Sequence, residues 1–198
     1  HIGSQITDMQ SLRNLCNRVS EIMDWFTQRR YNLRIINVGG GLGIDYQYPD
    51  ANPVPDFESY FKVFRDGIKL GEGQELHFEL GRAVVGQCGS LVTRVLYVKE
   101  GVKTRFAIVD AGMTDLIRPA LYQAYHKIEN ISSSAAEEKY DVVGPICESS
   151  DSFGKAVSLP ETSRGDVLVI RSAGAYGEVM ASQYNLRPLP HCVFSDRV

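Results

Sequence analysis

Leu33 to Val38 is a short apolar run rich in β-branched residues, and it stops abruptly at Gly39-Gly40-Gly41-Leu42-Gly43. A buried strand that runs straight into four glycines constrains the fold more than any other feature of the chain, because such runs belong to parallel sheets covered by helices. The flanking sequence agrees. Leu12, Leu15, Val19, Ile22, Met23 and Phe26 recur at helical spacing, with Thr7 and Gln10 placed as a capping box, so the spacing predicts a helix over about residues 8–30. Asp56 is positioned to cap a second helix carrying Phe57, Tyr60, Phe61, Phe64 and Ile68 and ended by Gly71, and Leu76 to Leu80 reads as the next strand. Helix, strand, helix, strand implies parallel strands with right-handed crossovers, as in an α/β barrel or a doubly wound sheet.

Beyond about residue 83 the texture changes to short strand-like runs separated by glycine and charge: Leu91 to Val98, Arg105 to Asp110, Lys139 to Val143 and Val167 to Arg171. Residues 99–103 read as a hairpin tip, and Ile131 to Glu138, rich in serine and alanine, as a mobile loop. The expectation is α/β plus β, with residues 1–82 forming an α/β unit and 83–198 an antiparallel β-sandwich or barrel.

A formal charge of −3 and scattered rather than clustered basic residues leave no stripe for nucleic acid. No apolar run is long enough to span a bilayer and residues 1–5 do not resemble a signal peptide, so no membrane partner and a cytoplasmic location are expected. Cys16, Cys88, Cys147 and Cys192 stand far apart without a C-x-x-C pair, which points to reduced thiols and no metal. The chain starts at His1 within a motif and reads as a piece of something longer.

Successive glycines after a strand let backbone N–H groups converge on one anion, phosphate being the natural ligand, although a tight strand-to-loop turn accounts equally for them. The third glycine of a dinucleotide fingerprint is Ile44 here, and no Gly-Lys-Ser/Thr follows. Glu79 and Arg82 end the next strand, where parallel α/β folds place active sites, and a structural ion pair is the competing reading.

Taken together, His1-Ile2-Gly3-Ser4-Gln5, the glycine loop, Glu79-Leu80-Gly81-Arg82, Asp115 to Tyr122, Cys147-Glu148-Ser149-Ser150-Asp151 and Gly174-Ala175-Tyr176 occur in an order that resembles the diaminopimelate decarboxylases, fold-type III enzymes dependent on pyridoxal 5'-phosphate (PLP). Tyr184 to Pro188 also resembles that family. The resemblance implies that residues 1–82 are the last strands and helices of a PLP-binding (β/α)8 barrel of the alanine-racemase type, followed by the β domain. It implies decarboxylation of meso-2,6-diaminopimelate to L-lysine and CO2, in a homodimer whose active site is shared across the interface.

Residue by residue, the resemblance gives His1 a place on the ring face and gives the phosphate to Ser4, Gly39, Gly40, Gly41 and Tyr176. Glu79 would pair with the pyridine nitrogen, and Gly81 and Arg82 would join the cofactor contacts. Arg82, Arg118 and Tyr122 would receive the substrate's distal carboxylate, with Tyr176 close by, and Glu148 would read its distal ammonium. Arg118 and Tyr122 are four apart and could face one way on a helix, although Pro119 admits Arg118 only to a first turn. Cys147 would supply the proton after CO2 leaves, acting from the neighbouring subunit, and Asp151 would support its loop. Leu80 departs from the proline usual between Glu and Gly. No lysine here, Lys62, Lys69 and Lys155 included, lies in a motif matching the one that holds PLP covalently, so the chain alone is expected to be inactive. The neighbouring readings are a decarboxylase of ornithine, arginine or carboxynorspermidine on the same fold, and a non-catalytic homologue that binds a partner. Glu148 favours the diaminopimelate branch, where the ornithine enzymes usually carry aspartate.

Overall fold

The computed structural model describes residues 1–195 and divides the chain into two compact units, residues 1–45 with 52–84, and residues 46–51 with 85–198. The segment 46–51, which a linear division of the sequence does not isolate, groups with the second unit.

In the first unit, α1 (Met9–Gln28) and α2 (Phe57–Gly67) accompany two parallel strands, β1 (Ile35–Asn37) and β2 (Glu75–His77), paired with Ile36 opposite Leu76. The cap of α1 is Asp8, whose carboxylate accepts from the Gln10 and Ser11 backbone N–H groups, and not the Thr7–Gln10 box. A carboxylate satisfies two orphan N–H groups and carries the charge that a helix start favours. Asp56 caps α2 as its position suggests, accepting from Ser59 N–H, but the helix ends at Gly67 rather than at Gly71. A Cβ on Gly67 would stand 2.8 Å from Cys16 Cβ, so glycine lets α2 approach α1 closely at that point. Leu12, Cys16, Ile36, Val38, Tyr60 and Phe64 fill the core of this unit.

The second unit opens on α3 (Arg82–Val85), which starts in the first, and carries six strands: β3 (Leu91–Glu100), β4 (Arg105–Val109), β5 (Ile128–Asn130), β6 (Glu137–Val143), β7 (Ser152–Pro160) and β8 (Val167–Ile170). Their order is β5-β8-β3-β4-β6-β7, and β5 also lies against β7, which nearly closes the sheet. The sheet is mixed rather than wholly antiparallel, because β4 pairs with β6 in parallel, Phe106 opposite Asp141. A parallel pair needs a crossover longer than a hairpin, and residues 110–136, with α4 (Arg118–Tyr122) and β5, supply it. The β3–β4 hairpin turns where expected, with Gly101 N–H donating to Thr104 carbonyl oxygen at 2.8 Å. Val95, Ala107, Val109, Val142, Leu168 and Ile170 are buried inside this sheet. Among the described residues no helix is long and apolar enough to cross a membrane, no group of His, Cys, Asp and Glu could hold a metal ion, and the four cysteines are free thiols.

Candidate active site

The ends of β1 and β2 carry the glycine loop and Glu79 side by side. Glu79 N–H donates to Gly39 carbonyl oxygen at 2.8 Å, continuing the parallel ladder past the strands themselves. Asn37 then ties the two chemically: its Oδ1 accepts from Gly39 N–H at 2.8 Å, and its Nδ2 donates to Glu79 Oε1 at 2.7 Å. One amide side chain thus fixes both the start of the loop and the carboxylate. Asn37 was not singled out in the sequence, where Asn before Gly reads as ordinary turn chemistry.

The loop is glycine for steric reasons. Gly39 (φ +74°) and Gly41 (φ +118°) lie in the left-handed region, and a Cβ on Gly40 would stand 2.3 Å from Glu79 carbonyl oxygen. Beneath the loop, the buried Tyr60 hydroxyl donates to Gly40 carbonyl oxygen at 3.2 Å, and burial pushes the phenol up to about 12. Gly40→Ala is therefore expected to cost about 1–3 kcal/mol by forcing the loop from β2. The check is thermal unfolding of the complete protein together with its PLP affinity, both of which should fall.

Residues 1–6 lie along this loop. Ile6 N–H donates to Gly41 carbonyl oxygen at 2.8 Å, Gly43 N–H to Ile6 carbonyl oxygen at 2.9 Å, and Gln5 exchanges two side-chain hydrogen bonds with the Ile44 backbone. These bonds bring His1 onto the loop, where its Nδ1 accepts from Gly40 N–H at 3.3 Å, and bring Ser4 to Arg82, whose Nε donates to Ser4 Oγ at 3.1 Å. His1, Ser4, Gly39, Gly40, Gly41, Glu79, Gly81 and Arg82 all belong to the first unit. The Gly39 and Gly40 N–H groups are taken by Asn37 and His1, which leaves the Ser4 hydroxyl and the Arg82 guanidinium as the donors an anion wants, and a carboxylate fixed beside them suits a protonated ring nitrogen. This donor set fits the phosphate and pyridine ends of PLP.

The remaining candidates lie on three separate supports in the second unit. Cys147 and Glu148 are on the loop from Gly144 to Asp151, built around the buried Asp151 carboxylate. Asp151 accepts from Ile146 N–H at 2.6 Å and from Met113 N–H at 2.7 Å. A Cβ on Gly144 would stand 2.4 Å from Asp151 Oδ2, so the carboxylate fits there only because that position is glycine. Burial outweighs these donors and raises the Asp151 carboxyl above its ordinary value. Cys147 itself is exposed, with its N–H donating to Asn185 Oδ1 at 3.0 Å, and Tyr184 hydroxyl donates to Glu148 Oε1 at 2.7 Å. Tyr184 and Asn185, which the sequence marks only as part of a motif, thus brace the thiol loop through their side chains.

Arg118 and Tyr122 share the short helix α4, with Arg118 in its first turn ahead of Pro119. Their environments differ: Arg118 is 7% exposed and Tyr122 60%. The Arg118 guanidinium donates to Tyr46 hydroxyl at 2.5 Å and lies 5.1 Å from that ring's centre, and among the described residues it meets no carboxylate. Tyr176 sits at φ +59° in a turn whose Gly174 packs against the Val85 carbonyl.

The diaminopimelate decarboxylase of Bacteroides thetaiotaomicron is 64% identical over 198 residues, covering 100% of this chain and 51% of the relative. That of Helicobacter pylori is 42% identical over 190 residues, covering 95% of this chain and 46% of its own length. Among solved structures, a mutant of the Helicobacter pylori diaminopimelate decarboxylase complexed with L-lysine superposes with a TM-score of 0.85 at 40% identity, covering 95% of this chain and 46% of that one. The lysine/ornithine decarboxylase of Vibrio vulnificus, at 21% identity and a TM-score of 0.82 over 93% of this chain and 50% of its own, shares the fold. The chain spans about half the length of the curated relatives it matches. A family model described as pyridoxal-dependent decarboxylase, C-terminal sheet domain, matches residues 23–174. The chain belongs to the pyridoxal-dependent decarboxylases, as a bearer of their C-terminal sheet domain.

Proposed function

We propose that this chain forms part of a PLP-dependent enzyme that decarboxylates meso-2,6-diaminopimelate to L-lysine in the cytoplasm. The observation that carries the reading is the joint at the ends of β1 and β2, where Asn37 holds the glycine loop and Glu79 together. When bound, PLP supplies an electron sink for the pair released as CO2 departs. Glu79 would keep the proton on the ring nitrogen. Gly39, Gly40, Gly41 and Ser4 would hold the phosphate, with Tyr176 in the phosphate role of its G-A-Y motif, and His1, Gly81 and Arg82 would border the ring. The substrate's distal carboxylate goes to Arg118, Arg82 and Tyr122, and its distal ammonium to Glu148. A buried guanidinium that among the described residues meets a phenol and no carboxylate supports this, because an uncompensated buried charge is costly until an anion joins it. Cys147, exposed and fixed through its backbone, delivers the proton, from the second subunit of a homodimer.

The test is a CO2-release assay of the complete protein with PLP on meso-diaminopimelate, ornithine and arginine. Turnover of the first to L-lysine, with the other two slower by orders of magnitude, is expected; preferred turnover of ornithine or arginine would reject the assignment.

A further inference from the structure

We infer that Tyr46 is a positioning residue for the substrate's distal carboxylate, acting by holding the Arg118 guanidinium in place. The inference rests on the proposed reading of Arg118 as the carboxylate's receiver and adds a residue that no motif points to. Tyr46 and Arg118 are 72 positions apart, yet the Arg118 guanidinium donates to the phenol oxygen and lies over the Tyr46 ring. Both side chains are buried, at 9% and 7% exposure. Among the described residues this arginine meets a hydroxyl and an aromatic face and no carboxylate, so it keeps its charge for a ligand, whereas a carboxylate partner would already have neutralised it.

Tyr46 is in turn fixed from two sides. Its ring meets the edge of His126, with centroids 5.0 Å apart, and His126, 2% exposed, is anchored through Nδ1 to Arg171 carbonyl oxygen at 2.9 Å. The strap that carries Tyr46, residues 46–51, is held to the same unit by Asp50, which pairs with both Lys127 and Arg171, while Glu129 pairs with the same two cations. A strap fastened by four charges, and a ring wedged against a buried histidine, keep the phenol oxygen where the guanidinium needs it. Fixing the fork before the ligand arrives removes an ordering cost from binding.

Three measurements on the complete enzyme with PLP test this: steady-state kinetics on meso-diaminopimelate, and inhibition constants of L-lysine, which keeps the distal carboxylate, and of cadaverine, which lacks it. Tyr46→Phe retains the ring and removes only the oxygen. It is expected to raise KM and the L-lysine inhibition constant about 5- to 20-fold, with kcat and the cadaverine constant within about 2-fold, as loss of one charge-assisted hydrogen bond requires. Arg118→Gln is the reference and should weaken L-lysine relative to cadaverine more strongly. If Arg118→Gln alters that ratio and Tyr46→Phe does not, the positioning role fails while the reading of Arg118 stands. If Arg118→Gln leaves the ratio unchanged, the reading of Arg118 fails and takes the inference with it. A Tyr46→Phe enzyme that loses affinity for both inhibitors equally, or loses kcat instead, would also overturn the role, and an unchanged melting temperature confirms that the comparison is between folded enzymes.

Discussion

Replacing Cys147 with alanine in the complete enzyme is expected to lower kcat by about 100- to 10,000-fold, the range associated with losing a positioned general acid. The thiol is exposed, and the loop that carries it is organised by groups the substitution leaves alone: the Cys147 backbone N–H on Asn185, the Tyr184 hydroxyl on Glu148 and the Asp151 carboxylate beneath. Stability should therefore change by no more than about 0.5 kcal/mol, as is usual for an exposed side chain without a structural partner. KM should also hold, because the residues assigned to the substrate's distal end are Glu148, Arg118, Arg82 and Tyr122. A large fall in kcat with unchanged KM and unchanged melting temperature is the signature of a group needed only in the chemical step. A Cys147→Ala enzyme within about threefold of the parent would remove the thiol from the mechanism. Cys147→Ser separates acidity from shape, since a hydroxyl of similar size gives up its proton far less readily near neutral pH.

What the sequence made legible follows the range over which each signal acts. Helix α1 and strand β1 are encoded locally, by apolar spacing and by a β-branched run meeting glycine, and both formed within a few residues of their expected limits. The cap moved by one residue because Asp8 offers a charged acceptor next to Thr7, and α2 stopped four residues early, at Gly67, because Ile68 is already in extended backbone. Two strands escaped notice. β5 is only three residues long, and β7 contains Gly154, Ala156 at φ +50° and a terminal Pro160, so its alternation of Phe153, Val157 and Leu159 is interrupted. Neither carries a pattern strong enough to stand without its neighbours in the sheet. The candidate site divides the same way. Glycines, Glu79, Arg118 and Cys147 stand in motifs and could be picked out, while Asn37 and Tyr46 act through partners 42 and 72 positions away. Periodicity is blind to such pairings, since nothing near Asn37 or Tyr46 in the chain says which side chain will arrive.

Asp151→Ala is expected to destabilise the protein by about 2–5 kcal/mol, which makes it the largest stability effect assigned to any single residue here. The carboxylate accepts from two backbone N–H groups that come from different stretches of chain, Ile146 and Met113, and its own backbone closes the loop by accepting from Gly144. Truncation leaves two donors without their acceptor, each worth about 1–3 kcal/mol when buried, and opens a space where Gly144 and Gly112 face the missing oxygens. Asp151→Asn should recover part of the loss, because its amide keeps one acceptor oxygen but turns an NH2 toward a backbone N–H. The pH dependence has a definite sign. Burial raises the folded carboxyl's pKa above its unfolded value, so the group binds its proton more tightly when folded. The stabilising contribution linked to that proton is fully present below the unfolded value and is lost as pH rises through the folded one. The margin between the parent and Asp151→Asn should then be widest below the unfolded carboxyl's value and narrow as pH rises through the folded one; a margin that grows with pH would show that the N–H donors, and not burial, dominate. Thermal unfolding across that range measures it, at about 2–4 °C per kcal/mol for a domain of this size. The same substitution should lower kcat through Cys147, whose position depends on a loop folded around this carboxylate, so activity and melting temperature are expected to fall together here and to separate at Cys147→Ala.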